Sequence, residues 1–298
     1  MFQNNPDLRG HGEVVEMTKE QMEEWVKCSQ DVFTFANYFN IIAEDGMHPI
    51  KLRPYQERLL RFFDADVPDK NNRIVMIGRQ TGKTTLATLY LTWLALFKSD
   101  KTIAILANKE EQALEIMSRI RDAYVKLPLW LQQGINPMKG GFAKGTIGLD
   151  NGTKIFAAAS SSSSIRGKTV DYMLVDEFAH LEPGIADTFM MSVFPTQSSR
   201  KDARLILIST PVGMNHFYDI WQKAVQGVGS FLAAKVQWYE IEGRDEAWKE
   251  RIIRDTNPQF FAQEYACLNK DEKIKIKYCN NEVELTIKEL ADMMAENL

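Results

Sequence analysis

Four short apolar runs in the chain alternate with longer segments whose apolar positions follow helical spacing. The runs are RIVMIG (73–78), KTIAILA (101–107), DYMLVDEFAH (171–180) and ARLILISTP (203–211). Such runs, apolar at nearly every position, are typical of strands buried on both faces of a parallel sheet. A helix is predicted over TTLATLYLTWLALF (84–97), and a long amphipathic helix from about 109 to 126. The alternation predicts an α/β fold with a mostly parallel sheet.

The segments on either side of this core have other patterns. Thr18, with Gln21 three positions later, forms a capping-box pattern for a helix over 18–27, and Pro54 is expected near the start of a helix over 52–63. Asp150-Asn151-Gly152 predicts a hairpin turn. After residue 266 the chain changes to KIKIKY and NNEVELTI, β-like runs joined by a turn at Asn280-Asn281 and followed by a short helix.

Composition limits the class of protein. The 298-residue chain has a net charge of −4, so any DNA contact would depend on local basic residues. Its three cysteines form no C-x-x-C pair, which favours a reducing compartment. The N-terminus has no signal-peptide pattern and no apolar run approaches 18 residues. We therefore expect a soluble intracellular protein.

The stretch GRQTGKT, residues 78–84, resembles a phosphate-binding loop that is one residue short. The usual pattern is G-x-x-x-x-G-K-[ST], and here Ile77 occupies the position of the first glycine. A buried strand precedes the loop and a helix follows it, so backbone N–H groups at the helix start can bind phosphate. Lys83 would then reach the β- and γ-phosphates, and the Thr84 hydroxyl would bind Mg²⁺. The alternative is a chance Gly-Lys-Thr in a solvated turn.

An acidic pair and an arginine extend this candidate site. Asp176 and Glu177 end the apolar run YMLVDE, where Asp176 would order a metal ion and Glu177 would act as general base. Arg79, within the loop, would stabilise the γ-phosphate in the transition state as an arginine finger in cis. A plain strand end and a surface arginine remain the alternatives.

Two weaker signals flank the loop. Tyr55 and Gln56 lie upstream, where a tyrosine ring could stack on adenine and a glutamine amide could bind its edge. Ser209 and Thr210 end the next strand with hydroxyls that could sense the γ-phosphate. Each signal is weak alone, because Tyr-Gln is an ordinary dipeptide in helices and Thr-Pro is common where a strand ends. The predicted nucleotide-binding set is Tyr55, Gln56, Gly78, Gln80, Thr81, Gly82, Lys83, Thr84 and Thr85.

In the order of its motifs the chain resembles the large terminase subunit of tailed bacteriophages, most of all the myovirus-type DNA-packaging motors. The segments that carry the resemblance are LRPYQ, GRQTGKTT, YMLVDE, ISTPVGMNHFYDIW and NPQFFAQEY, between about residues 30 and 266. The short, arginine-bearing loop matches that family's deviant phosphate motif. The expected fold is therefore an α/β P-loop NTPase of the ASCE/RecA-like class. It would have a parallel sheet, a flanking helical subdomain and a short β-rich C-terminal tail.

The resemblance implies a role for each matched residue. Gln56 would bind adenine, Arg79 would act in cis, and Lys83 and Thr84 would bind phosphate and metal. Asp176 would order Mg²⁺ and Glu177 would be the catalytic carboxylate. Ser209 and Thr210 would couple hydrolysis to domain movement. Arg166 and Lys168, in SSSSIRGKTVD, would lie in a loop that senses nucleotide or DNA, or in a solvated basic loop. ATP and Mg²⁺ are the implied cofactors.

The resemblance also implies partners and a place of action. Expected partners are double-stranded DNA, the portal protein of a procapsid, the small terminase subunit and further copies of this chain in a ring, in the host cytoplasm. The expected segments are a helical one at 1–50, the ATPase core at 51–211, a mainly helical subdomain at 212–266 and the tail at 267–298. Family members continue into a nuclease, which we do not expect within these residues.

The tail resembles the N-terminal fragment of an atypically split intein. Cys267 follows Ala266 where the terminase resemblance ends, and its thiol would attack the preceding carbonyl. The common Gly-Asp-Thr after an intein's first cysteine is absent, since LNKDEKI stands there. A companion polypeptide would supply the remaining splicing residues and the nuclease. The alternatives are truncation at a domain boundary, a frame-shifted gene, and a buried thiol at Cys267.

Two other functions fit some of these motifs. A helicase-like DNA translocase shares the Tyr-Gln, phosphate-loop and Ser-Thr elements, but it would need a second RecA-like half. A binding-only P-loop scaffold would lack a catalytic acid, whereas Glu177 is present. We therefore rank both below the packaging ATPase.

Overall fold

The computed structural model describes residues 1–43, 46–160, 169–198, 202–267, 273–278, 281–286 and 289. Within them the helices are α1 (Lys19–Gln30), α2 (Val32–Ala36), α3 (Pro54–Asp64), α4 (Lys83–Phe97), α5 (Glu110–Val125), α6 (Pro183–Ser198), α7 (His216–Val225), α8 (Glu246–Asp255) and α9 (Pro258–Phe261), followed directly by a π-helical turn, Ala262–Ala266. None of the described helices is both long and apolar enough to span a bilayer.

An eight-stranded sheet forms the centre of the molecule. In spatial order its strands are β10 (Phe231–Val236), β3 (Asn72–Ile77), β9 (Arg204–Ser209), β8 (Tyr172–Asp176), β4 (Thr102–Ala107), β7 (Lys154–Ala159), β6 (Thr146–Gly148) and β5 (Phe142–Ala143). The first six are parallel, and β6 and β5 add an antiparallel edge. The α/β fold with a mostly parallel sheet is therefore confirmed.

The burial of helix α4 explains why its sequence is mostly apolar. Every residue from Leu86 to Leu96 is buried, so the helix is apolar around its whole circumference rather than along one stripe. It packs within the larger of two apolar clusters, which lie on opposite faces of the sheet. The alternating side chains of β3 show this division, because Val75 belongs to the larger cluster and Ile74 to the smaller. The helix that follows the phosphate loop is thus rigidly held.

Two arginines attach helix α3 to the sheet. Arg73 of β3 donates to the carbonyl of Phe62 at 2.6 Å, and Arg204 of β9 donates to that of Phe63. Cations at the C-terminal end of a helix bind carbonyls that have no partner within the helix. Burial, together with the neighbouring Arg204, lowers the pKa of Arg73 to about 10. The attachment fixes the C-terminal end of α3 against the sheet.

The segment after β9 also contributes a strand to the central sheet. It contains α7, α8, α9 and the π-turn, but also β10, which pairs in parallel with β3 along six residues. Residues 231–236, FLAAKV, are only partly buried, as expected of an edge strand. Segment 212–266 is therefore continuous with the central sheet through this strand.

The two predicted hairpins are also present. Strands β6 and β7 pair antiparallel around Asp150-Asn151-Gly152, where Gly152 supplies the positive φ of 81°. In the tail, β11 (Lys273–Tyr278) pairs antiparallel with β12 (Asn281–Thr286). Asn281 faces Tyr278 as the first residue of β12, so it belongs to the strand rather than to the predicted turn. The predicted closing helix falls almost wholly outside the described residues. A separate hairpin of β1 (Asn40–Ala43) and β2 (Gly46–Pro49) precedes α3.

Candidate nucleotide-binding site

The backbone of the loop between β3 and α4 is shaped to bind an anion. Gln80 and Gly82 adopt left-handed conformations, with φ of 56° and 73°, and the Thr81 hydroxyl donates to the Gly78 carbonyl at 3.0 Å. Among the described residues, no backbone acceptor contacts the N–H groups of Gln80, Thr81 and Gly82. Successive unpaired N–H groups before a helix start form a concave anion site. Lys83, Thr84 and Thr85 form the first turn of α4.

Helix α3 supports the loop from one side. The Tyr55 hydroxyl donates to the Thr81 carbonyl at 2.5 Å, and the Tyr55 side chain is only 2% exposed. Gln56 accepts the Arg53 N–H at 3.0 Å, and its Nε2 would lie 2.9 Å from a Cβ added at Gly82. Stacking of Tyr55 on adenine is therefore not available in this arrangement, because the ring is in the core. Adenine binding by Gln56 stays a prediction.

Arg244, between β10 and α8, supports the loop from another side. Arg244 donates through Nη2 to the carbonyls of Arg79 and Gln80, at 2.9 and 3.0 Å, and it is 9% exposed. Its guanidinium lies over the rings of Trp248 and Tyr265, and burial lowers its pKa from the usual range. These two loop carbonyls are therefore bound by Arg244. Sequence analysis missed Arg244, since nothing in EGRDEAW marks it.

The two predicted acids lie where β8 ends, and Lys83 bridges them. Its Nζ forms an ion pair with Oε1 of Glu177 and lies 3.2 Å from Oδ1 of Asp176. Burial raises the pKa of Asp176, partly offset by Lys83. Burial alone would also raise the pKa of Glu177, but Lys83 and His180 bring it below its usual value. The structure therefore unites the loop lysine and both acids in one partly buried cluster.

Glu177 has a strained backbone. Its φ of 53° is rare for a residue with a side chain and occurs most often where surrounding structure fixes a functional group. The Asp176 carboxylate accepts the Glu177 N–H at 3.0 Å, and a short 3₁₀ turn, Phe178–His180, begins immediately afterwards. The sharp turn points consecutive acids to different positions in the site.

Ser209 and Thr210 both contact the carboxylate of Glu177. Both hydroxyls lie 3.4 Å from Oε2 of Glu177, and both residues are buried. His180, which the sequence analysis did not single out, has Nε2 2.8 Å from the Thr210 hydroxyl and 3.4 Å from the same carboxylate oxygen. Three side chains thus fix one oxygen of Glu177, while Lys83 binds the other.

The block NHFYDIW connects this acid to helix α7. Asn215 caps α7 with its side-chain oxygen and donates its amide to the Ala179 carbonyl at 2.7 Å. His216 contacts the Phe178 carbonyl at 2.8 Å and packs its ring edge-on against Phe178. Helix α7 is therefore joined to the turn that follows Glu177.

Arg79 is paired within the protein. Its Nε forms an ion pair with Oε2 of Glu264, and its backbone N–H donates to the Glu264 carbonyl at 2.9 Å. The Arg79 side chain is 55% exposed, whereas Glu264 is 6% exposed. A Cβ at Gly78 would lie 2.8 Å from the Tyr265 carbonyl oxygen, so only glycine fits against this turn. The sequence analysis did not single out Glu264, although this residue lies in the block NPQFFAQEY that carries part of the family resemblance.

The donor set at the loop suits magnesium. Thr84 offers a hydroxyl and Asp176 a carboxylate, the oxygen ligands that Mg²⁺ takes together with waters and substrate phosphates. Asp176 is held beside the loop by Lys83. The described residues contain no cluster of three or more acidic, histidine or cysteine side chains that would form an all-protein metal cage, and a nucleotide-dependent Mg²⁺ needs none.

Two further predictions concern Cys267 and the basic loop before β8. Cys267 follows the π-turn with a φ of 50°, and it is 0% exposed within the smaller apolar cluster. This burial agrees with the simpler interpretation of Cys267 as a core thiol. Arg166 and Lys168 lie outside the described residues.

Comparison with known proteins identifies relatives of this arrangement. Residues 74–276 match the model of the family described as terminase large subunit, T4likevirus-type, N-terminal. The fold is similar to that of the HK97 bacteriophage large terminase, with a TM-score of 0.64 at 18% identity over 83% of this chain and 56% of that chain. The chain thus spans little more than half of that protein's length.

Two further solved structures share the fold. The large terminase ATPase domain of Thermus phage P74-26 aligns with a TM-score of 0.51 at 18% identity, over 72% of this chain and 98% of that domain. The large terminase of a thermophilic bacteriophage, solved in complex with ATP-γ-S, aligns with a TM-score of 0.51 at 14% identity, over 72% and 52% of the two chains. At these identities the structures show the fold alone. The family match covers more than half of the chain, which therefore belongs to the T4likevirus-type terminase large subunit family, in its N-terminal part.

Proposed function

We propose that this chain hydrolyses ATP and is the motor domain of a DNA-packaging terminase. The observation that carries the proposal is the bridge from Lys83 to Asp176 and Glu177, because it joins the phosphate loop to both acids. On ATP binding, Lys83 exchanges these carboxylates for β- and γ-phosphate oxygens. Oε1 of Glu177 is then released to accept a proton from the attacking water.

The other residues of the site position the reactants. The N–H groups of Gln80, Thr81 and Gly82 bind phosphate oxygens, and Arg79 stabilises charge on the γ-phosphate. Thr84 and Asp176 would hold Mg²⁺, which supplies charge neutralisation between the β- and γ-phosphates. His180, Ser209 and Thr210 keep Oε2 of Glu177 fixed, so that Oε1 alone takes the proton.

In the proposed role, hydrolysis moves double-stranded DNA into a procapsid in the host cytoplasm. The chain would act as a ring on the portal, together with the small terminase subunit and a nuclease half. The link from Glu177 through the 178–180 turn to α7 supports this role, because it connects the acid to a helix outside the phosphate site.

A DNase-protection assay tests the packaging proposal. Procapsids with portal, linear duplex DNA, Mg²⁺-ATP and this chain together with its nuclease half are expected to yield protected DNA, and Lys83→Ala protein is expected to yield none. A forked-duplex assay runs in parallel. Strand separation without any protected DNA would contradict packaging and favour the helicase-like translocase.

We further propose that the tail takes part in protein trans-splicing. The two-stranded sheet of β11 and β12 is separate from the central sheet and begins six residues after Cys267, as a short β-rich splicing fragment requires. The Cys267 sulfur would attack the Ala266 carbonyl carbon and form a thioester. The Ala266–Cys267 peptide bond would break, and the freed Cys267 amine would take up the proton that the thiol loses. A companion fragment would complete the exchange.

Intact-mass spectrometry tests this second proposal. Co-expression of the chain with the nuclease-bearing fragment from the same genome should give a new species that joins residues 1–266 to that fragment and releases 267–298. Cys267→Ala should abolish the new species. If the wild-type masses stay unchanged under reducing conditions, the splicing proposal is wrong, and the ATPase proposal is unaffected.

A further inference from the structure

Arg79 and Glu264 form an ion pair whose two side chains differ in their exposure to solvent. The Arg79 side chain is half exposed, so water can solvate it whether or not Glu264 is present. Glu264 is 6% exposed, and its carboxylate also accepts a bond from Gln263, whose Nε2 lies 3.3 Å from Oε1. A buried carboxylate that loses its cation is strongly unfavourable. Glu264 therefore depends on Arg79 more than Arg79 depends on Glu264.

The turn that carries Glu264 is held against the loop by several bonds. The Glu264 carbonyl accepts the Arg79 N–H, Gly78 abuts the backbone of Tyr265, and Arg244 lies over the Tyr265 ring while it binds loop carbonyls. The turn itself is π-helical, a wide and uncommon geometry that occurs often at functional sites. Residues 262–266 therefore lie directly against the loop that carries Arg79, and the Arg79 side chain contacts them through Glu264.

We propose that Glu264 is a positioning residue that competes with the γ-phosphate of ATP for the Arg79 guanidinium. The inference rests on the proposed function, in which Arg79 acts on the γ-phosphate. Without a γ-phosphate, Glu264 holds Arg79 and the turn stays packed. When ATP binds, Arg79 transfers to the γ-phosphate, and Glu264 is left buried beside Gln263. The turn then loosens so that water can reach the carboxylate.

The competition makes a specific prediction for Glu264→Gln, which removes the charge and keeps the shape. Titrations with ATPγS and with ADP are compared. Affinity for ATPγS should rise about fivefold, or about 1 kcal/mol, as expected for a half-exposed ion pair. Affinity for ADP should be unchanged, because ADP has no γ-phosphate. In an Arg79→Ala background the same substitution should change neither affinity.

The matched control is Glu250→Gln, an exposed glutamate on α8, which should alter neither affinity. An equal change for ATPγS and ADP, no change for either, or the same change without Arg79 would each overturn the proposal. A purely structural role for Glu264 predicts equal effects on both nucleotides. The proposed function is tested separately, because retained hydrolysis in Lys83→Ala would contradict it whatever Glu264→Gln shows.

Hydrogen exchange of the wild-type chain gives an independent test that needs no folded variant. Amides of residues 262–266 should exchange faster with ATPγS than with ADP, since the turn loosens only when Arg79 leaves Glu264. Exchange of β4, at the centre of the sheet, serves as the internal reference. Equal exchange of the turn in both nucleotides would overturn the proposal.

Discussion

Replacing Lys83 with alanine is expected to lower the rate of ATP hydrolysis by about 10³-fold or more. Lys83 is the only side chain seen to contact both Asp176 and Glu177 among the described residues. Its removal takes a cation from the β- and γ-phosphates and leaves two adjacent carboxylates facing the incoming nucleotide. Both phosphate affinity and turnover should therefore fall. Phosphate release and ATPγS titration measure the two effects.

The control for this variant is Lys19→Ala, an exposed lysine of α1 that lies outside the site. It should hydrolyse ATP at the wild-type rate. Thermal unfolding of both variants shows whether the fold is retained. A folded Lys83→Ala protein with wild-type turnover would show that the site is wrongly assigned.

Glu177→Gln is expected to separate binding from chemistry. The amide keeps the size of the side chain but cannot accept a proton, and loss of a general base costs about 10²- to 10⁴-fold in rate. Binding should be retained or improved, because Glu177 no longer competes with phosphate for the Lys83 Nζ. Steady-state hydrolysis should therefore disappear while ATPγS still binds with at least wild-type affinity.

Glu182→Gln is the matched control, since Glu182 is exposed and lies five residues along the chain. Glu182→Gln should leave both the rate of ATP hydrolysis and the affinity for ATPγS unchanged. If Glu177→Gln hydrolyses ATP at the wild-type rate, another residue must act as the general base. Loss of ATPγS binding in that variant would instead show that Glu177 holds the nucleotide.

The phosphate loop and its strands could be predicted because their signals are local. A parallel strand buried on both faces is a continuous apolar run, and Gly82-Lys83-Thr84 between a strand and a helix specifies both backbone and chemistry. The two acids could be predicted for the same reason, because the carboxyl ends of the parallel strands of one sheet lie at the same edge.

The parts that sequence analysis missed depend on contacts between distant residues. Arg244 lies 165 positions from Arg79, whose carbonyl it binds, and no spacing rule joins them. Strand β10 is a half-buried edge strand whose continuous apolar run, FLAA, is only four residues long, so the strand signal in segment 212–266 is weak beside that of the helices. Tyr55 shows the same limit, because only the tertiary structure reveals that its hydroxyl supports Thr81.

Ser209 and Thr210 show how strand order limits a prediction made from sequence alone. Ser209 and Thr210 were predicted at the site from their place after a buried strand, and they lie there. Their contact is with Glu177, because β9 is the neighbour of β8 in the sheet and its end therefore meets the end of the acidic strand. Strand order, which a single sequence does not show, determines that these hydroxyls contact Glu177.

Release of inorganic phosphate from ATP by the purified 298-residue chain tests the central claim most directly. The account predicts a rate that saturates with ATP, requires Mg²⁺ and falls to the baseline of the Lys83→Ala protein when that variant is measured alongside. A folded wild-type chain that binds ATPγS yet releases phosphate no faster than Lys83→Ala, with or without duplex DNA, would contradict the assignment of this site as an ATPase.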